Sequence, residues 1–142
     1  MRLWHKDFIP YLPKKQLLAQ WRECCCIARN IAVNGTPNHI LVNKILDFPF
    51  DHFKVYAGEV YDEMLKRGYK ADWEKFRYHW VKFGTAFNPP SHKDLYKGWH
   101  TTRYFNQCYL NLQEKYDCGG IPEEEWSLIE EFMDRRTCYD GE

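Results

Sequence analysis

Between Pro13 and Gly35 the chain reads PKKQLLAQWRECCCIARNIAVNG, and its apolar positions fall at helical steps. Leu17, Trp21, Cys24/Cys25, Ala28 and Ile31 recur every three or four residues and so line one face of a long helix. Pro13 suits its start, because the backbone N–H that proline lacks has no partner in a first turn. Asn34-Gly35 supplies a left-handed stop. Gln16, Arg22, Glu23 and Arg29 share the remaining surface. The next segment, His39 to Leu46, packs Ile40, Leu41, Val42, Ile45 and Leu46 too densely for periodicity to separate a buried helix from a strand. No second strand-like run exists to pair with it, so a helix is expected.

Asp51 to Arg67 predicts another helix, with Phe53, Tyr56, Val60 and Met64 on one face, Asp51 as its cap and Gly68 as its stop. Asp72 is then expected to cap WEKFRYHWVKF, whose Trp73, Phe76, Trp80 and Phe83 form an aromatic stripe of the kind that usually enters a core. Gly84 to Gly98, with Asn88-Pro89-Pro90 inside it, reads as a long loop, and such loops are often functional. A helix follows from Thr101 or Thr102 to about Tyr116, stopped by Gly119-Gly120. The last helix opens at Pro122 with Glu123, Glu124 and Glu125 in its first turn, where negative charge suits the helix dipole, and docks through Trp126, Ile129 and Phe132 or Met133. Pro10 and Pro13 bracket the end of an extended N-terminal arm. The expected fold is all-α: a single compact domain of about six helices, with an arm (1–12) crossing between helices and an acidic C-terminal helix and tail (116–142).

A chain of 142 residues is long enough to bury a real core. No apolar run approaches the ~18 residues of a membrane span, and MRLWHKDFIP carries no apolar stretch of a secretory signal, so a cytoplasmic protein is expected. Cys24, Cys25 and Cys26 point about 100° apart on a helix and cannot share one metal ion. With Cys108, Cys118 and Cys138, and no CxxC pair, they read as reduced, mostly buried thiols. Net charge is zero but uneven: residues 1–115 carry 18 Lys/Arg against 11 Asp/Glu, and residues 116–142 carry 2 against 9. A basic body suggests a polyanionic partner; the alternative is a solvated charge distribution folded back on itself.

The common catalytic spacings are absent: there is no Gly-rich phosphate loop, HExxH, GxSxG or EF-hand loop. Six histidines stand singly, none at helical spacing from another, so neither a metal nor another cofactor is expected. Glu23 is the notable carboxylate. It lies on a largely apolar helix beside Arg22, seven residues from Gln16 and therefore on the same face. That arrangement fits a polar pocket; it equally fits a surface ion pair, which would contribute little.

Two segments carry a resemblance. QLLAQWRE at 16–23 resembles the first-helix motif of the pyrimidine-dimer DNA glycosylase/AP lyases of phage endonuclease V type, and EMLKRGY at 63–69 resembles a second helix end in that family. The order agrees as well: an arm opening Met-Arg-Leu-Trp, a Tyr-Leu-Pro entry to a long helix, a segment containing His39, then the Leu-Lys-Arg-Gly helix. The likeness covers about residues 1–69. It implies an enzyme that attacks C1′ of a damaged nucleotide with its own α-amino group, forms a Schiff base and cuts the strand by β-elimination. An α-amine titrates at about 7.7–8.0, so a useful fraction is neutral where lysine is protonated. Carried over, Met1 supplies the nucleophile and Glu23 the catalytic carboxylate, while Arg2, Gln16, Arg22 and His39 contact DNA. Arg2 is too large for the usual methionine removal, so the amine is that of Met1. Gln16 stands where the phage enzyme has a histidine, Cys26 where it has a further arginine, and the acidic last helix where it has a basic aromatic tail.

The implied partner is damaged double-stranded DNA, with no membrane and no metal, and the implied state is a monomer. Two rivals remain: a non-catalytic all-α nucleic-acid-binding module on the same scaffold, and an interaction protein whose acidic last helix meets a basic partner.

Overall fold

The computed structural model describes residues 1–83 and 87–139, apart from the side chains of Phe83 and of 137–139. These residues are all-helical, without a strand. Five α-helices follow in order: α1 (Lys14–Asn34), α2 (Phe50–Lys66), α3 (Glu74–Trp80), α4 (Thr102–Asp117) and α5 (Glu123–Tyr139). Short 3₁₀ turns occupy Lys6–Tyr11, Asn43–Asp47 and Val81–Phe83. Helix α1 buries Leu17, Gln20, Trp21, Cys24, Ile27, Ala28 and Ile31, which is the expected stripe with Gln20 and Ile27 added. Gly35 closes it in the left-handed region at φ 77°, where a side chain would be strained, and donates its N–H to Ile31. Helix α2 turns Phe53, Tyr56, Ala57, Val60 and Met64 inward, the expected face with one alanine added. Trp126 and Ile129 of α5 are buried, with Phe132 and Met133 packed beside them.

Several local expectations change. Residues 39–46 are not an α-helix but a turn leading into the 3₁₀ segment, and Ile40 is 84% exposed. Only Val42 and Ile45 of that run reach the core, because the turn lets every third residue point inward while the others face out. Asp51 lies inside the first turn of α2 rather than capping it; its carboxylate instead accepts the Asn88 backbone N–H at 2.8 Å. Asp72 does accept from the Glu74 N–H, at 3.0 Å. The described part of the long loop is no free excursion. Its Leu95 and Tyr96, and Trp99 and His100 just beyond it, are buried, held by turn hydrogen bonds from Leu95 to Ser91 and from His100 to Tyr96. Of the five cysteines whose side chains are described, all are free, Cys24 and Cys108 are buried, and Cys26 and Cys118 are exposed. Cys138, the Phe83 end of the aromatic stripe, the first residues of the long loop (84–86) and the tail from 140 lie outside the described residues.

The arm decides the architecture. Leu3, Trp4, His5, Lys6, Phe8, Ile9 and Leu12 are all buried, so the N-terminus threads through the molecule instead of lying on it. It touches four helices. The Gln20 side chain of α1 and the Tyr56 hydroxyl of α2 bond its backbone, the Cys108 thiol of α4 accepts the His5 N–H at 3.4 Å, and Phe132 of α5 stacks on Tyr11 at 4.1 Å.

Candidate active site

The arm is pinned along its length by polar groups. The Lys6 ammonium donates to the carbonyls of His92, Lys93 and Leu95 at 2.6, 2.9 and 2.8 Å, so its buried charge is fully hydrogen-bonded. Arg67, at the end of α2, donates to the carbonyls of Leu12 and Pro10 at 2.7 and 3.1 Å. The Asp7 carboxylate accepts from Arg136 of α5 at 2.8 Å and pairs with His92 at 2.9 Å. Burial alone would raise the Asp7 pKa, but the hydrogen bonds from Arg136 and His92 outweigh it and hold the carboxyl below its usual range. Glu125 of α5 accepts the Lys14 N–H at 2.6 Å, giving α1 the N-terminal acceptor that Pro13 lacks.

This pinning places residue 1 at the side of α1. Met1, Arg2 and Trp4 of the arm, Lys15, Gln16, Ala19 and Glu23 of α1, Leu41 of the turn, and Asn111 and Lys115 of α4 line one cavity of about 490 Å³. Gln16, Ala19 and Glu23 share that wall because they are three and four residues apart on a helix. The Glu23 carboxylate is half-buried, and burial raises its pKa. The Met1 α-ammonium is the leading opposing influence, followed by the Arg2 backbone N–H directed at the carboxylate, then His39 and Arg22. The side-chain oxygen of Gln16 is buried without a protein partner. The Arg2 guanidinium lies 5.6 Å from the centre of the Trp4 ring and 5.9 Å from that of Tyr104.

Four of the six sequence-derived site residues thus meet in one cavity: Met1, Arg2, Gln16 and Glu23. Arg22 is exposed beside it, and His39 is half-buried at the start of the turn; both act on Glu23 electrostatically without lining the cavity. The residues 1–76 match the family model for pyrimidine dimer DNA glycosylase. The chain belongs to that family. No curated protein and no solved structure matches it. The matched span of this glycosylase-family chain covers the arm, α1 and α2, while α4, which contributes Asn111 and Lys115 to the cavity, lies beyond it.

One residue that supports this family member's cavity from behind was not singled out in the sequence. Gln20 is fully buried. Its oxygen accepts the Trp4 N–H at 2.8 Å, and its amide nitrogen donates to the Arg2 carbonyl at 3.0 Å and to Glu23 Oε2 at 3.2 Å. The Tyr56 hydroxyl donates to the Trp4 carbonyl at 2.6 Å and stands 2.9 Å from the same glutamine oxygen. Gln20 therefore ties the backbone of the arm to the carboxylate three residues along its own helix. Its place in the QLLAQWRE motif, on the helix one turn before Glu23, is the signal that could have found it. Among the described residues, no group of three or more His, Cys, Asp or Glu side chains could hold a metal ion, and no helix is long and apolar enough to cross a membrane.

Proposed function

We propose that this chain is a DNA repair glycosylase with AP-lyase activity on pyrimidine dimers or related base lesions, using Met1's amine as nucleophile. The observation that carries the reading is the shared cavity, lined by Met1 and Glu23 together with Arg2, Lys15 and Lys115, in which the α-amino group acts on the Glu23 carboxylate. The neutral amine attacks C1′, and the N-glycosidic electrons leave with the base. Opening of the sugar ring gives a protonated imine, the O4′ oxygen taking up a proton. Loss of a C2′ proton then expels the 3′-phosphate by β-elimination. Glu23 stabilises the cationic sugar and imine, and its raised proton affinity suits it to deliver and remove protons in these steps. Arg2, Lys15 and Lys115 face the flanking phosphates. Gln16 offers an unpaired acceptor to the nucleotide, Arg22 holds the strand outside the cavity, and His39 supports the rim.

Strand cleavage of duplexes carrying a single cyclobutane dimer or a single abasic site tests this. The protein should nick both. Glu23→Gln keeps the shape and the Gln20 contact but removes the carboxylate, and should slow nicking roughly 10²–10⁴-fold with DNA binding retained. Salt-sensitive binding without nicking of either substrate would favour the non-catalytic module instead.

A further inference from the structure

The turn after α1 spends its apolar side chains on solvent. Ile40 is 84% exposed and Leu41 48% exposed, and Ile40 is the most exposed large hydrophobic residue described. They are adjacent in the chain and sit on a turn that is held, not loose. The Asn43 side chain accepts the His39 N–H at 3.0 Å, His39 Nδ1 accepts the Leu41 N–H at 3.3 Å, and the His39 carbonyl accepts from Val42 and Asn43 at 3.0 and 2.9 Å. Buried Val42 and Ile45 anchor the far side. A rigid turn presenting two aliphatic side chains to water is costly unless something apolar receives them.

Position says what receives them. Leu41 belongs to the wall of the Met1–Glu23 cavity and also, with Ile40, to a second hollow of about 540 Å³ lined by Lys44, Trp99, Arg103 and Gln107. Leu41 therefore stands between the two hollows with Ile40 beside it on the second, Arg2, Lys15 and Lys115 lining the first and Lys44 and Arg103 the second. Cations flanking an apolar tip match a duplex, whose phosphates lie outside its stacked bases. On the reading of the first cavity as a DNA site, we infer that Ile40 and Leu41 are a wedge that enters the base stack beside the lesion. The pair fills the gap left when the nucleotide is drawn towards Met1, so that the energy of unstacking is offset by burying aliphatic surface. The wedge makes this protein selective for sites where the stack is already weakened.

The test separates wedge from chemistry by using a duplex that holds a tetrahydrofuran abasic analogue, which cannot form a Schiff base, with 2-aminopurine next to it. Saturating wild-type protein should raise 2-aminopurine fluorescence as the base unstacks. Ile40→Ala with Leu41→Ala should cut that rise at least about threefold. Ile40→Lys adds a cation and should keep or tighten binding, read by anisotropy, while losing the rise; thermal melting should be unchanged for both variants because the side chains are exposed. An undiminished rise in the double variant, or no rise with wild type, overturns the wedge. So does a concentration-dependent dimer, seen by sedimentation and abolished by Ile40→Lys, since the pair would then be covered by a second copy. If borohydride traps no Met1 adduct but the Ile40-dependent rise persists, the lyase reading falls and the wedge stands.

Discussion

At the scale of single residues, the site rests on a carboxylate and on the glutamine bonded to it. Glu23 has an elevated proton affinity because burial outweighs the α-ammonium, the backbone N–H and the more distant cations around it. Gln20 does more than fill space. Its two donors and its acceptor are all used, and the amide can satisfy them in one orientation only, since its oxygen meets an N–H while its nitrogen meets a carbonyl and a carboxylate. Gln20→Leu is close in volume but leaves the Trp4 N–H and the Arg2 carbonyl unpaired in the interior. Each unpaired group costs about 1–3 kcal/mol, so a fall of several degrees in the thermal midpoint is expected. Because the same substitution frees Glu23 and the arm, nicking should fall by more than binding. Unchanged nicking in a folded Gln20→Leu protein would show that this bridge does not position the site.

At the scale of elements, the buried arm is a two-sided bargain between histidines and carbonyls. His5 Nδ1 accepts the Asp7 N–H, so its Nε2 carries the proton given to the His100 carbonyl at 3.1 Å; His100 Nδ1 accepts the Lys6 N–H at 3.0 Å. Both rings are therefore neutral. Burial lowers the His5 pKa to about 4, with Asp7 opposing and Arg136 and Lys6 assisting, and burial lowers that of His100 to about 2. The unfolded chain binds protons to these rings from about pH 6.5 downwards and the folded chain does not, so stability is intact above that pH and is lost as pH falls. His5 alone should remove roughly 3 kcal/mol by pH 4. Asp7, held below its usual range, adds to the loss at still lower pH. Hydrogen exchange should show residues 2–12 exposed first on acidification; an arm that stays protected at pH 4 would contradict this. None of this was visible in periodicity. Helices α1, α2 and α5 were legible because their apolar residues repeat locally, and the Arg22-Glu23 pair stood out within one of them. The arm's burial, the packed 91–100 segment and the exposed pair at 40–41 depend on partners far along the chain, which a local pattern does not record. The tie between Gln20 and Trp4 spans 16 residues, and that between Lys6 and Leu95 spans 89.

At the scale of the whole molecule, the charge asymmetry has a spatial meaning. The acidic α5 packs against the arm and the start of α1, its Glu125 accepting the Lys14 N–H and its Arg136 pairing with Asp7, while Arg2, Lys15, Lys115, Lys44 and Arg103 line the two hollows. Zero net charge thus conceals five cations gathered at the two hollows. Affinity for duplex DNA should fall steeply with salt, and Lys115→Ala should weaken binding to all sequences alike while reducing the log–log salt slope by about one. A slope unchanged by that substitution would place the phosphates elsewhere. The proposed nucleophile is the chain's own amine, and reductive trapping addresses it directly. With an abasic-site duplex and borohydride, peptide mapping by mass spectrometry should find the sugar adduct on the Met1 nitrogen, and a chain blocked at that nitrogen should form none. An adduct on any lysine, or an undiminished adduct from the blocked chain, would contradict the account.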